Sequence, residues 1–185
     1  EYEGAGADCI SILTEPHYFM GSSRYLTEIR EHVRIPLLRK DFTVDDYMIY
    51  EAKVIGADAV LLICSLLEEE TIREWIGLCD RLGLSALVEA HDEAEVAMAV
   101  RAGARMIGVN NRDLKTFHVD VHNCLRLRGH VPPDILFVAE SGIRTREDLE
   151  VLERGNVNGV LIGETFMKSP DKAAAMRELR GEGAV

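Results

Sequence analysis

A period of about 50 residues, carried by two alternating kinds of apolar run, constrains this chain more than any other feature of its sequence. Gly6-Ala7-Asp8, Gly56-Ala57-Asp58, Gly103-Ala104-Arg105 and Gly155-Asn156-Val157 lead into runs of one kind, at spacings of 50, 47 and 52 residues. Runs of the other kind end in a charge, at Lys40, Glu89 and Glu140, spaced 49 and 51. Together they make seven short runs, at 9–14, 36–40, 59–64, 86–89, 105–110, 136–140 and 159–163. Amphipathic stretches separate them, which is the pattern of parallel strands buried on both faces and joined by crossover helices.

The intervening helices show recognisable ends. Thr43 with Asp46 three residues on predicts a capped start for a helix whose inner face carries Val44, Tyr47, Met48, Ala52 and Ile55, and which stops at Gly56. Ile72, Ile76 and Cys79 give the stripe of the next helix, closed by Gly83. Asp92, Thr145 and Ser169-Pro170 mark three further starts. Trp75 and the helix methionines are expected in the core.

Alternate strands of a (β/α)8 barrel supply the same interior level, so a two-unit period has a physical meaning there and the three charged ends should converge. An open doubly wound sheet needs a topological switch point and offers no reason for the alternation. Extending the period backwards from Lys40 lands before Glu1. The expectation is a (β/α)8 TIM barrel lacking its first βα unit, with seven strands present in one domain over residues 1–185. Two open sheet edges would then invite aggregation, closure as a smaller barrel, or pairing between chains.

Composition narrows the function. A formal charge of -11 leaves no basic stripe for nucleic-acid phosphates or an anionic membrane surface. No run approaches a membrane span, and the first residues lack a signal pattern, so a cytoplasmic location is expected. Cys9, Cys64, Cys79 and Cys124 are far apart and are expected as buried free thiols, and no histidine spacing assembles a metal site. Neither metal nor cofactor is predicted.

In such a barrel the carboxyl ends of the strands form the active site. Lys40 between Glu89 and Glu140 is placed as a proton donor or, if neutral, as a Schiff-base nucleophile; a structural ion pair is the plainer alternative. Glu89 is a candidate general acid or base, and Glu140 either acts likewise or orients Lys40 and binds substrate hydroxyls. Asn110, Asn111 and Arg112 suit a ligand with hydroxyl and carboxylate groups, although Asn-Asn and Asp113 also favour turns. Ser141-Gly142 and Gly163-Glu164-Thr165, after the last two strands, let backbone N–H groups approach a phosphate, provided the Glu164 carboxylate points away.

At these residues the sequence resembles indole-3-glycerol-phosphate synthases, from near Gly6 to Lys168. The resemblance is carried by Ser11-Ile12-Leu13-Thr14-Glu15 with Phe19-Met20-Gly21-Ser22, Leu38-Arg39-Lys40-Asp41-Phe42, Leu87-Val88-Glu89, Gly108-Val109-Asn110-Asn111-Arg112-Asp113-Leu114, Ala139-Glu140-Ser141-Gly142-Ile143 and Leu161-Ile162-Gly163-Glu164. It implies cofactor-free conversion of 1-(2-carboxyphenylamino)-1-deoxyribulose 5-phosphate to indole-3-glycerol phosphate, with Lys40 the general acid for ring closure and Glu89 assisting dehydration. By the same match Asn110, Arg112, Glu140 and Ser141 line the site, Gly142, Gly163 and Glu164 cradle phosphate, and Phe19, Phe42 and Leu61 wall the anthranilate ring. The family's first strand, with a glutamate, a second lysine and a Ser-Pro-Ser segment, has no counterpart here. The chain is therefore expected to be part of a complete synthase, the alternative being a catalytically silent sugar-phosphate-binding remnant or interaction subunit.

Overall fold

The computed structural model describes residues 1–112, 119–120 and 122–182. Among the described residues seven parallel strands form one sheet in sequence order: β1 (Ile10–Leu13), β2 (Leu37–Lys40), β3 (Ala59–Ile63), β4 (Ser85–Ala90), β5 (Met106–Asn110), β6 (Leu136–Glu140) and β7 (Gly159–Leu161). Every neighbouring pair is joined through a crossover carrying a helix: α1 (Ser23–His32), α2 (Tyr47–Val54), α3 (Glu69–Leu82), α4 (Glu93–Arg101), α5 (His122–Arg128) and α6 (Arg146–Arg154). The short α7 (Glu164–Lys168) and then α8 (Lys172–Arg180) follow β7. This is a (β/α)8-type barrel wall of seven strands. β1 and β7 are its edges and do not pair with each other, so the wall has not closed as a smaller barrel.

The period of two along each strand separates two cores. Val60, Leu62, Val88, Ile107, Val109, Phe137 and Ala139 pack outward with the helices. Leu38, Ala59, Leu61, Ile63 and Leu87 fill the interior, joined by Phe42, Met106, Val138 and Leu161. Leu38-Arg39-Lys40-Asp41 shows the division residue by residue. Arg39 is buried on the helix side, where its guanidinium meets Asp41 at 3.3 Å, Glu51 at 2.7 Å and the Met48 carbonyl at 2.9 Å. A buried guanidinium requires such partners, since desolvating an unpaired charge costs several kcal/mol. With that face settled, Lys40 is left to the interior.

Helix ends follow the sequence in three places. Gly83 closes α3 in the left-handed region (φ 66°), Asp92 caps α4 by accepting the Glu95 N–H, and Thr145 forms a reciprocal capping box with Asp148. Two starts differ. Thr43 is buried and α2 begins later, at Tyr47, whose N–H is met by Asp45; Ile49 and Ala52 are its buried residues, while Val44 and Tyr47 are exposed. At the end of the chain Ser169 closes α7, and Asp171, not Ser169-Pro170, caps α8.

The glycine of the repeat sits at φ 90° in Gly6, 95° in Gly56 and 88° in Gly103, but in the fourth copy Asn156 takes the left-handed conformation (φ 58°), one residue later than Gly155. Asparagine tolerates that region better than other residues with a Cβ. Cys64, Cys79 and Cys124 are buried, whereas Cys9 is exposed beside the edge strand β1. Trp75 and Met176 belong to the core and Met98 packs against it, but Met167 is exposed. Among the described residues no helix is long and apolar enough to cross a membrane.

Candidate active site

Parallel register brings the carboxyl ends of β2, β4, β5 and β6 together at one end of the barrel. Lys40 Nζ lies 3.4 Å from Glu89 Oε2, although β3 stands between their strands. Asn110 Nδ2 donates to Glu89 Oε1 at 3.3 Å, and Asn110 is in register with Glu140. Glu140 is 1% exposed, and its Oε1 has no hydrogen-bond partner among the described residues. The space it occupies is left by Gly108. A Cβ there would overlap Glu140 Oε1 and approach Leu87 Cδ1 at 3.2 Å.

The two glutamates are held in opposite states. Burial alone raises the Glu89 pKa, but contacts from His91, the Lys40 ammonium and the Asn110 amide outweigh it and hold the carboxyl below its usual range. Burial pushes Glu140 up, the charge on Glu89 adds to the rise, and Lys40 offsets part of it. One ionised and one protonated carboxyl beside an ammonium form a set able to accept and donate protons in one small volume.

An apolar wall rises over Lys40. The Phe19 and Phe42 rings lie 4.8 Å apart at 32°, Lys40 Nζ is 5.5 Å from the Phe19 ring centre, and Leu61 is fully buried in the cluster on which Phe42 packs. The loop bearing Phe19 is organised by Glu15. This buried carboxylate accepts the backbone N–H groups of His17, Tyr18 and Phe19 at 2.8, 2.5 and 3.0 Å. Burial would raise its pKa, but the three donors prevail and lower it.

On the far side, Ser141 and Gly142 both adopt positive φ (67° and 81°), which turns the chain sharply after β6. Thr165 Oγ1 donates to the Ile143 carbonyl at 2.8 Å, tying the start of α7 to the loop after β6. Space is open above Gly163. The Glu164 carboxylate turns aside to Lys168 at 2.6 Å and to Arg112 at 3.2 Å. Arg112 is thus drawn toward the Gly163 loop. Asn111 is buried scaffold: its N–H donates to the Glu140 carbonyl, its Nδ2 to the Ser141 carbonyl, and its Oδ1 accepts from Cys124 N. Asp113 and Leu114 lie outside the described residues.

Three contributors were not singled out for the site from sequence: Glu15, His91 and Gly108. His91 carries a signal, because two residues past Glu89 the strand period returns to the same side. Gly108 carries none. Its role depends on a side chain from the neighbouring strand.

Fold and site together define an enzyme of the (β/α)-barrel class with a charged cluster at the carboxyl ends of its strands. Within that class the sequence is specific: a model of the indole-3-glycerol phosphate synthase family matches residues 1–179, and the chain belongs to that family of decarboxylating lyases of tryptophan biosynthesis. It is 59% identical over 181 residues to the indole-3-glycerol phosphate synthase of Ruminiclostridium cellulolyticum, covering 98% of this chain and 70% of that protein. The enzyme of the same name from Leuconostoc mesenteroides is 55% identical, with the same coverage of each chain. Among solved structures, 3-hexulose-6-phosphate synthase from Salmonella typhimurium aligns over 95% of this chain and 86% of its own with a TM-score of 0.80. At 17% identity that likeness speaks for the fold alone.

Proposed function

We propose that this chain carries the catalytic rim that converts 1-(2-carboxyphenylamino)-1-deoxyribulose 5-phosphate to indole-3-glycerol phosphate by ring closure, decarboxylation and dehydration, without a cofactor. The observation that carries the reading is the Lys40 ammonium, 3.4 Å from Glu89 and beneath the Phe19–Phe42 wall. Phe19, Phe42 and Leu61 receive the anthranilate ring. Lys40 protonates the ribulose carbonyl oxygen as the carboxylate-bearing ring carbon bonds to the carbonyl carbon, and that carboxylate then leaves as CO2, returning its bonding pair to the ring. Ionised Glu89 accepts a proton during dehydration, and neutral Glu140 donates a hydrogen bond to a substrate hydroxyl. Asn110 and Ser141 orient the chain of hydroxyls, Arg112 meets a carboxylate, and backbone N–H groups at Gly142, Gly163 and Glu164 receive the phosphate.

The partner of this site is accordingly a small sugar phosphate, and a biosynthetic role on such an ester suits the cytoplasm. The single domain over residues 1–185 offers its unpaired β1 and β7 edges for self-association.

The test is Lys40→Ala, followed by the appearance of indole-glycerol phosphate and by circular dichroism. Loss of a general acid is expected to lower turnover ~10²–10⁴-fold with the fold retained. Near-normal turnover in the variant removes Lys40 from the mechanism. Substrate binding without any turnover by the parent chain favours the silent sugar-phosphate-binding alternative.

A further inference from the structure

His91 directly follows β4, and its ring lies between carboxylates from two elements. Nε2 is 3.2 Å from Glu89 Oε1, and Nδ1 is 3.0 Å from Glu95 Oε2 in the first turn of α4. The Nε2 contact is an ion pair whose N–H is not aligned on the oxygen, so it constrains charge more than angle. The backbone is fastened as well: Glu95 Oε2 accepts the His91 N–H at 2.8 Å, and Asn123 Nδ2 donates to the His91 carbonyl at 3.4 Å. A neutral imidazole has one N–H and one lone pair, so with acceptors at both nitrogens it would set a lone pair against a carboxylate. The imidazolium carries an N–H on both nitrogens, one donating to Glu95 and the other setting positive charge beside Glu89.

We propose that His91 is a positioning residue for the lyase site: as an imidazolium bridging Glu89 and Glu95, it holds Glu89 ionised and turned so that Oε2 faces Lys40. Glu89 is faced by Lys40 from β2, Asn110 from β5 and Glu140 from β6; beyond the ring, the Cys64 thiol donates to the Glu95 carbonyl at 3.7 Å. With a cation on each side of Glu89, the proton of the acid pair belongs to Glu140. Burial works against the charged ring, yet the two carboxylates raise its pKa to about 10, so it stays charged through neutral pH and loses its proton only far above. The use made of Glu89 rests on the function proposed above. The bridge itself does not.

Carbon-13 NMR of the full chain separates the two. The His91 ring-carbon shift should be flat through neutral pH, and Glu95→Gln should bring its midpoint down toward the ordinary value of 6.5. In His91→Gln, the midpoint of the Glu89 carboxyl carbon should rise relative to the parent. An imidazole that titrates near its ordinary value, or a Glu89 midpoint unmoved by His91→Gln, overturns the proposal. In turnover, His91→Gln should move the acid limb of kcat/KM to higher pH and lower kcat about tenfold with KM little changed. An unmoved acid limb counts against the positioning role, whereas a parent chain with no turnover defeats the functional reading and leaves the NMR result to decide the bridge.

Discussion

Glu89 and Glu140 carry the same side chain at equivalent points of the repeat, and their surroundings give them opposite chemistry. Glu89 has Lys40, Asn110 and His91 around it, whereas Glu140 is sealed in and faces Glu89. The seat of Glu140 depends on one missing Cβ. Gly108→Ala should therefore displace the carboxyl and cost ~1–3 kcal/mol through overpacking, with a fall in kcat read by steady-state kinetics. The pH dependence follows from the sign of the shift. A carboxyl whose pKa is raised in the fold contributes stability below its unfolded value and loses it as pH rises through the folded one. Denaturant titrations of the parent should show that loss as pH rises from the ordinary carboxyl range to about 8, and Gly108→Ala should show less of it. Identical kinetics and identical pH profiles in the two proteins would falsify the assignment. The charges themselves were legible, because three residues ending apolar runs about 50 apart have little reason to be there except to converge. Which of them keeps a proton was not, since that depends on neighbours from four strands.

Elements were legible where a local rule governs them. The Asp92 cap, the Thr145 capping box and the Gly83 terminus are satisfied within a few residues, so their sequence signals held. The Thr43 signal failed because that residue is buried and the chain enters α2 only at Tyr47. Glu15 shows the same limit in reverse. It lies in a recognisable motif, but its work is to gather three N–H groups and so shape the loop that sets Phe19 beside Phe42. Glu15→Gln leaves one acceptor oxygen where the carboxylate had two. Hydrogen exchange at His17, Tyr18 and Phe19 should quicken while α1 is unaffected, and KM should rise more than kcat falls. Unchanged exchange at those three amides would show that the loop holds its shape without the carboxylate.

At the scale of the molecule, the seven strands among the described residues leave β1 and β7 as edges, with no partner strand there on their outer sides. The chain should self-associate with rising concentration, and Val160→Lys, on the exposed side of β7, should weaken that association by placing charge on the edge. Sedimentation velocity decides it: a chain that remains monomeric at every concentration, with or without the lysine, contradicts edge pairing. The repeat by itself determined the number and order of strands, their parallel sense, and the rim to which Lys40, Glu89, Asn110 and Glu140 belong. These are consequences of alternating burial, which is written locally in the chain. Only the tertiary structure decided that Arg112 turns to Glu164, that His91 bridges two carboxylates and that Gly108 makes room for Glu140. The first and last join residues from different units of the repeat, the His91 bridge depends on the turn from β4 into α4 that returns Glu95 to the ring, and protonation in a buried cluster is set by distances that no single segment specifies.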